Sequence, residues 1–415
     1  MKVLLPDSAE VGRAESTSLA PAAQVEIPPL PAPSPVLSKR FYFPELDAIR
    51  IFLFLGVWAY HAVPRQDHYY VEHHIPQVLA SLIATAIKAC MCSLDVFFIL
   101  SAFLITELLL RERGLRGAVD LKTFYVRRLL RIWPLYFFVI ALAGFLSLFD
   151  RSQTVGWSYA LSFLFFVGNW IMAIRGFPRA TILVPLWSVS FEEQFYLLWP
   201  LVLRKSSLRT IRRIAMGLLV VASLTRLILL LKHAGGDPIW YNSFARLDSI
   251  ACGILLAAIL HGRATFRLGL PARVSLLVLG VSAWMLVGRY CGLLDPVPRL
   301  AGGMIGYPLM SLGGVAIFLS VLGAAQDGFP FLKNSLLVHL GKISFGLYAF
   351  HLLGLRFSAY LFAGYHHAFG WTLSLLLSLV ITLLLAAASF KWLESPFLRL
   401  KQNRFTYVPS GALSR

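Results

Sequence analysis

Arg50 and His61 stand eleven residues apart in an otherwise apolar run, "LDAIRIFLFLGVWAYHA", residues 46–62. Eleven helical residues turn through about 1100°, about 20° from a whole number of turns, so the two side chains share one face. They lie about 16 Å apart along the axis at the helical rise per residue. An ionisable group inside a membrane-length helix is costly unless it meets a partner or a polar cavity, so each is a candidate functional residue. The spacing alone also fits an anchoring arginine and an interfacial histidine bonded to a neighbouring helix.

Five further stretches carry ionisable groups in apolar surroundings. "SLDVFFILSAFLITELLLRE" (93–112) contains Asp95, with Ser101 and Thr106 behind it. A buried carboxylate needs a cation or several donors, which an arginine or the His61 imidazole can supply. Alternatively, Asp95 caps a helix starting at Val96. In "FYVRRLLRIWPLYFF" (124–138), Arg127 and Arg131 are i,i+4 neighbours and Arg128 and Arg131 are i,i+3 neighbours. Guanidinium forks match phosphate oxygens, although the same cluster also suits a stop signal touching lipid headgroups. "PLWSVSFEEQFYLLWP" (185–200) sets Glu192 and Glu193 side by side, with Ser188 and Tyr196 each four residues from Glu192 on its face. Adjacent helical residues point about 100° apart, so at least one glutamate must find a partner inside the bundle. "FARLDSIACG" (244–253) adds Arg246 and Asp248, and "GKISFGLYAFHLL" (341–353) adds His351. Cys90, Cys92, Cys252 and Cys291 lie in or beside apolar runs without zinc-site spacing; they read as small packers, and no metal site is expected.

The elements that must position these groups are apolar helices. The 415 residues are 58% hydrophobic and 14% charged, with a mean hydropathy of +0.71, too apolar for a soluble globular domain. Eleven apolar segments follow one another: 45–63, 80–110, 124–149, 157–174, 186–203, 212–231, 244–261, 273–291, 304–323, 336–362 and 371–393. The expected fold is an all-α, polytopic transmembrane bundle. The net charge of +18 fits lysines and arginines gathered on cytoplasmic loops better than nucleic-acid binding, which is not expected. Basic loops at 111–117, 204–213 and 261–273 and the C-terminal "KWLESPFLRLKQNR" would share the cytoplasmic side, while 64–79, 232–243 and 292–302 would be external. That alternation fails if both 157–174 and 186–203 cross fully, so one of the pair is re-entrant or incomplete. About ten spans remain, with both termini cytoplasmic. Residues 1–40 hold seven of the 22 prolines and read as a disordered cytoplasmic tail. No signal peptide is apparent in "MKVLLPDSAEVG", so the first span would serve as the targeting signal. Residues 41–401 form the membrane domain and 402–415 a second cytoplasmic tail.

In order along the chain, "LDAIR…H", "SLDVFFILSAFLIT", "FYVRRLLRIWPLYF", "PLWSVSFEEQFYLLWP", "RLDSIACG", "LGKISFGLYAFH" and "LESPFLRL" resemble the acyltransferase-3 family of integral-membrane O-acyltransferases. The resemblance covers about residues 41–401. Ala48 stands where "LDGLR" is usual, Ala102 where a glycine commonly follows the serine, and Phe191 where "SVEEQ" is typical. These departures change side-chain volume and remove no ionisable group.

The resemblance implies transfer of an acyl group, often acetyl, from acyl-CoA to a hydroxyl of a carbohydrate, glycolipid or secondary metabolite. The setting would be the lipid bilayer of the cytoplasmic (inner) membrane. It implies acyl-CoA as a co-substrate and no bound cofactor. The family's arginine-x10-histidine motif maps onto Arg50 and His61, its arginine pair onto Arg128 and Arg131, and its acidic motif onto Glu192 and Glu193. On this reading His61 is the general base, Asp95 or Glu192/Glu193 orients it, and Arg50 holds a charged substrate group or that carboxylate. Arg128 and Arg131, with Arg127, hold donor phosphates. Ser101, Ser188, Tyr196 and His351 are supporting candidates, and an acyl-Ser101 or acyl-His intermediate is a variant. Two other classes fit the same residues: a proton-coupled transporter or flippase of a glycolipid or polysaccharide precursor, and a membrane scaffold fixed by buried ion pairs.

Overall fold

Hydrocarbon offers no water to peptide groups, so an apolar chain must satisfy its backbone within each segment. This chain does so with helix: among the described residues there is no strand. The computed structural model describes residues 42–151, 154–178, 181–262, 267–362 and 368–404. The expected N-terminal tail, 1–40, and residues 405–415 of the C-terminal one lie outside them.

Helix α1 is Pro44–Ala62, with its proline in the first turn where no amide donor is missed. Helix α2, Gln77–Ala89, runs through a tight turn at Cys90–Cys92 into α3, Ser93–Arg116. Asp120 caps α4, Leu121–Leu146, by accepting from the Thr123 amide at 3.0 Å. Two eight-residue helices follow, α5 (Trp157–Leu164) and α6 (Gly168–Arg175), and then α7, Leu186–Leu203. Ser207 caps α8, Leu208–Leu231. Helices α9 (Leu247–Leu260), α10 (Leu270–Leu286) and α11 (Leu300–Val321) complete the core. Helices α12 (Ser335–Lys342) and α13 (Ser344–Leu361) meet at a 70° bend. Helix α14, Ala368–Ser389, passes through a π-helical turn at Phe390–Glu394 into α15, Ser395–Arg404. Among the described residues six helical runs are long and apolar enough to cross a bilayer, or seven with the bent pair.

The segment pair that disturbed the alternation of loops has a clear arrangement. Residues 157–174 form a helical hairpin rather than one rod. The chain turns back at Phe166, whose φ is +56°. The two ends then meet, with Arg175 donating to Ser158 Oγ at 2.8 Å and the Tyr159 hydroxyl to the Gly176 carbonyl at 2.9 Å. Helix α7 is continuous. Consequently the basic loops gather at one end of the bundle. Arg113 donates to the carbonyls of Leu203 (2.8 Å) and Ser206 (2.6 Å), Arg212 to that of Ala258 (3.1 Å), and His261 Nδ1 lies 2.9 Å from Glu107.

Helix α3 is the axis of the fold, packing against α1, α7, α9 and α11. Its closest approach is to α9: a Cβ on Gly253 would lie 2.7 Å from that of Ala102, so the absent side chain makes room for the alanine. The other two departures from the family pattern are also packing sites. Ala48 is fully buried, and Phe191 sets its ring edge-on to Phe98 at 4.9 Å.

Charges inside this core are paired. Asp95, 1% exposed, accepts from Arg246 at 2.9 Å and from the Ser249 hydroxyl, which lies 2.9 Å from Ser311 Oγ. Arg246 also stacks on Trp240 at 4.0 Å. One turn on, Asp248 binds Arg226 through both oxygens. Asp95 therefore neither caps its helix nor meets His61; its partner is the arginine. Leaving one ion of such a buried pair alone costs about 3–5 kcal/mol. Asp95→Ala should lower thermal stability in detergent by that order, and Asp95→Leu with Arg246→Leu should recover part of it. An unchanged melting transition in Asp95→Ala contradicts this assignment.

Candidate functional site

Two cavities enter the bundle from opposite ends of α1, and their linings share only Leu94 and Tyr348 among the described residues. The first, at the end away from the basic loops, has a volume of about 770 Å³. Residues from all three loops expected to be external line it: Arg65 and Gln66, Asp237 with Trp240 and Tyr241, and Gly292 through Asp295 with Arg299. His61 opens into this cavity beside Trp187, Trp240 and Tyr241. The second, about 360 Å³, opens at the basic end and is lined by Arg50, Arg127, Arg128, Arg131, Lys342 and Lys401. Ser101, Ser188, Glu192 and Tyr196 face it too. Each cavity has a π-helical turn in its wall, Val287–Cys291 in the first and Phe390–Glu394 in the second. Such turns widen a helix locally and are frequent at functional sites.

The local geometry of His61 fixes its chemistry. Its Nδ1 lies 2.9 Å from the Val57 carbonyl one turn back. A carbonyl can only accept, so Nδ1 carries a proton, and in the neutral ring the lone pair is then on Nε2. The imidazole is thus oriented by a backbone group, and not by the carboxylate expected from Asp95, Glu192 or Glu193. His351, fully buried on α13, repeats the arrangement: its Nδ1 donates to the Tyr348 carbonyl at 2.6 Å, and its ring centre lies 5.0 Å from that of His61. Among the described residues its Nε2 has no hydrogen-bond partner.

The second cavity is organised by Tyr196. Its hydroxyl donates to Glu192 Oε2 at 3.0 Å and bonds Ser101 Oγ, joining α3 to α7. Arg128 lies 5.3 Å over the Tyr196 ring, and Arg50 pairs with Asp47 one turn earlier on α1. The helical spacing that placed Ser188, Glu192 and Tyr196 on one face thus brings all three to one cavity. Glu193 turns away, as adjacent helical residues must. It lines neither cavity and accepts from Trp133 Nε1 at 3.3 Å. Asp95 lines neither cavity either. Arg50 and His61 do share one face of α1, but that face runs from one cavity to the other.

Between the cavities stands Tyr348. Its hydroxyl donates to the Pro185 carbonyl at 3.0 Å and lies 2.8 Å from Ser188 Oγ. Sequence reasoning passed over it, although it sits one turn before His351 in a motif already singled out. Gln194 was also missed. It donates to Asn169 Oδ1 and the Phe166 carbonyl, both at 2.9 Å, and accepts from Ser243 at 2.7 Å, fastening the 157–175 hairpin and the 240–244 turn to α7. Its place directly after the paired glutamates was the available signal.

Comparison with known proteins assigns this architecture a family. The acyltransferase domain family matches residues 43–391. Among curated proteins, the O-acetyltransferase OatA of Staphylococcus aureus strain NCTC 8325 / PS 47 is 26% identical over 382 residues, covering 89% of this chain and 59% of its own length. OatA of strain COL gives the same figures. The chain thus spans about 59% of the length of these relatives. No solved structure matches it.

The two-ended arrangement predicts the sidedness of labelling. With the four native cysteines replaced, Gln66→Cys and Lys342→Cys in sealed vesicles should react with a membrane-impermeant maleimide from opposite faces. Labelling of both from one face contradicts the arrangement.

Proposed function

The chain belongs to the acyltransferase domain family, and we propose that it is a multi-pass membrane O-acyltransferase. It moves an acyl group, acetyl in the simplest case, from acyl-CoA to a hydroxyl of a carbohydrate, glycolipid or secondary metabolite. The observation that carries this reading is the pair of cavities meeting at Leu94 and Tyr348, one rich in cations and one lined by His61. The cation-rich cavity suits the phosphates of the donor, with Arg128 and Arg131 as principal ligands. Its slender pantetheine arm then reaches towards Tyr348. The separation of Arg50 and His61 along α1, about 16 Å by helical rise, is of the order that an extended arm covers. The wider cavity receives the acceptor, and its aromatic walls (Trp187, Trp240 and Tyr241) suit the apolar faces of sugar rings.

In the transfer step the acceptor oxygen attacks the thioester carbonyl carbon while His61 Nε2 takes the hydroxyl proton. The tetrahedral adduct collapses to the ester, the carbon–sulfur bond breaks, and the proton on His61 passes to the departing thiolate. Arg50 belongs with the donor-binding cations in this scheme. Glu192, Tyr196 and Ser101 form the wall along which the arm lies, with Ser188 holding Tyr348 at its end.

The path of the chain supports ten traverses of the bilayer. Counting α1, α2–α3, α4, α7, α8, α9, α10, α11, α12–α13 and α14–α15, an even number returns both ends of the described chain to the cavity lined by Tyr42 and Lys401. The positive-inside tendency makes that end cytoplasmic and the membrane the cell membrane.

Purified protein incubated with labelled acetyl-CoA should transfer label only when an acceptor hydroxyl is supplied. Movement of an unmodified glycolipid without label transfer contradicts the reading in favour of transport. His61→Gln should lower kcat by about 10²–10⁴-fold while leaving donor affinity within about twofold. Arg128→Gln should raise the donor KM by about tenfold or more and change kcat less. Normal turnover in a correctly inserted His61→Gln enzyme overturns the mechanism.

A further inference from the structure

Lys401 was expected to be a topological signal, one more cation at a cytoplasmic helix end. Its side chain instead lines the donor cavity together with Phe390, Glu394 and Leu398. These positions fall on one stripe of the α14–α15 rod, so the C-terminal helix supplies a wall of the cavity. Helix α15 packs on α4, which places the Lys401 ammonium within electrostatic reach of Arg131, Arg128 and Arg127. Among the described residues, Arg128, Arg131 and Lys401 make no ion pair with a carboxylate. Glu394, on the same stripe, accepts from Ser389 at 3.1 Å, and with Asp47, Glu112 and Glu192 it brings four carboxylates to a lining that holds six cations, which leaves the cations in excess. A positive-inside anchor explains a cation at the end of each helix. It does not explain cations from two helices, distant in sequence, converging on one cavity, where like charges repel more strongly than in bulk water. A polyanion relieves that repulsion.

The position of Lys401 along the cavity narrows the choice of anion. Phe390, Glu394, Leu398 and Lys401 succeed one another towards the C-terminal end of the rod, so Lys401 is the residue of this stripe nearest the basic end. Arg127, a turn nearer the start of α4 and hence nearer the basic end than Arg131, lines the same cavity. The donor's thioester points the other way, towards Leu94 and Tyr348. On the O-acyltransferase reading, which this inference requires, the group at the far end of coenzyme A is the 3′-phosphate of its adenosine ribose. We propose that Lys401 is a donor-binding residue that recognises this 3′-phosphate, so that the C-terminal helix distinguishes coenzyme A from donors lacking it.

The test compares coenzyme A with 3′-dephospho-coenzyme A, by calorimetry on the intact protein in detergent, for the wild type, Lys401→Gln and Lys401→Arg. The wild type should bind coenzyme A about tenfold more tightly than the dephospho form, as expected for one charge-assisted phosphate contact. Lys401→Gln should weaken coenzyme A binding about tenfold and leave the dephospho form within about twofold, abolishing the preference, and Lys401→Arg should retain it. A Lys401→Gln protein that keeps the wild-type preference, or that loses both ligands equally, overturns the assignment and leaves the acyltransferase reading standing. A wild type that binds neither ligand overturns the coenzyme A donor itself, and this inference with it.

Discussion

A charge inside an apolar helical bundle is costly unless it meets a partner of opposite sign or a backbone dipole, or stands at the wall of a cavity that water or a ligand can enter. The ionisable groups at the centre of this protein follow one or the other, while Arg273 rests on the backbone carbonyls of Leu268, Ser320 and Leu322 and Glu193 on Trp133. Asp95 and Arg246, and Asp248 and Arg226, take the first, and they fasten α3, α8 and α9 around a dry core. Arg50, His61, Glu192 and the arginines of α4 take the second. The partition explains why residues of the same types, equally costly in lipid, divide between architecture and chemistry. It also ties the two together, because Arg246 stacks on Trp240, which lines the cavity that His61 faces.

Helix α1 links the two halves of the site. Its apolar side packs in the core, while one ionisable face passes from the cation-rich cavity to the histidine cavity. The helix's own backbone, through the Val57 carbonyl, orients the His61 ring, so on the proposed mechanism the base needs no carboxylate beside it. Glu192 instead orders the wall of the cation-rich cavity through Tyr196 and Ser101. The hydrogen bonds of Tyr348 with Pro185 and Ser188 fix the place between the cavities where, in the proposed reaction, donor and acceptor meet.

Much of this was legible in the sequence because it depends on period and composition. Apolar runs gave an all-helical membrane protein, and charge asymmetry among loops separated the two ends before any contact was known. Eleven-residue spacing put Arg50 and His61 on one face, and four-residue spacing gathered Ser188, Glu192 and Tyr196. The failures share a cause: periodicity is blind to which neighbour a side chain meets. Nothing local says that Asp95 would find Arg246, 151 positions away, in place of His61. Nor does it say that the 157–174 run would break at Phe166 and return to its own side, since its hydropathy matches that of a crossing helix. Lys401 was hidden for a related reason: in a basic run after the last span, topology was explanation enough.

The central claim is that donor and acceptor enter from opposite faces and meet at Tyr348. The most direct measurement places labelled acetyl-CoA inside sealed proteoliposomes and the acceptor outside, then exchanges them, with orientation fixed by a protease-accessible tag. Transfer only when the donor is on the face of the Arg128 cavity and the acceptor on the face of the His61 cavity is the predicted result. Transfer only when donor and acceptor share one face would contradict the account.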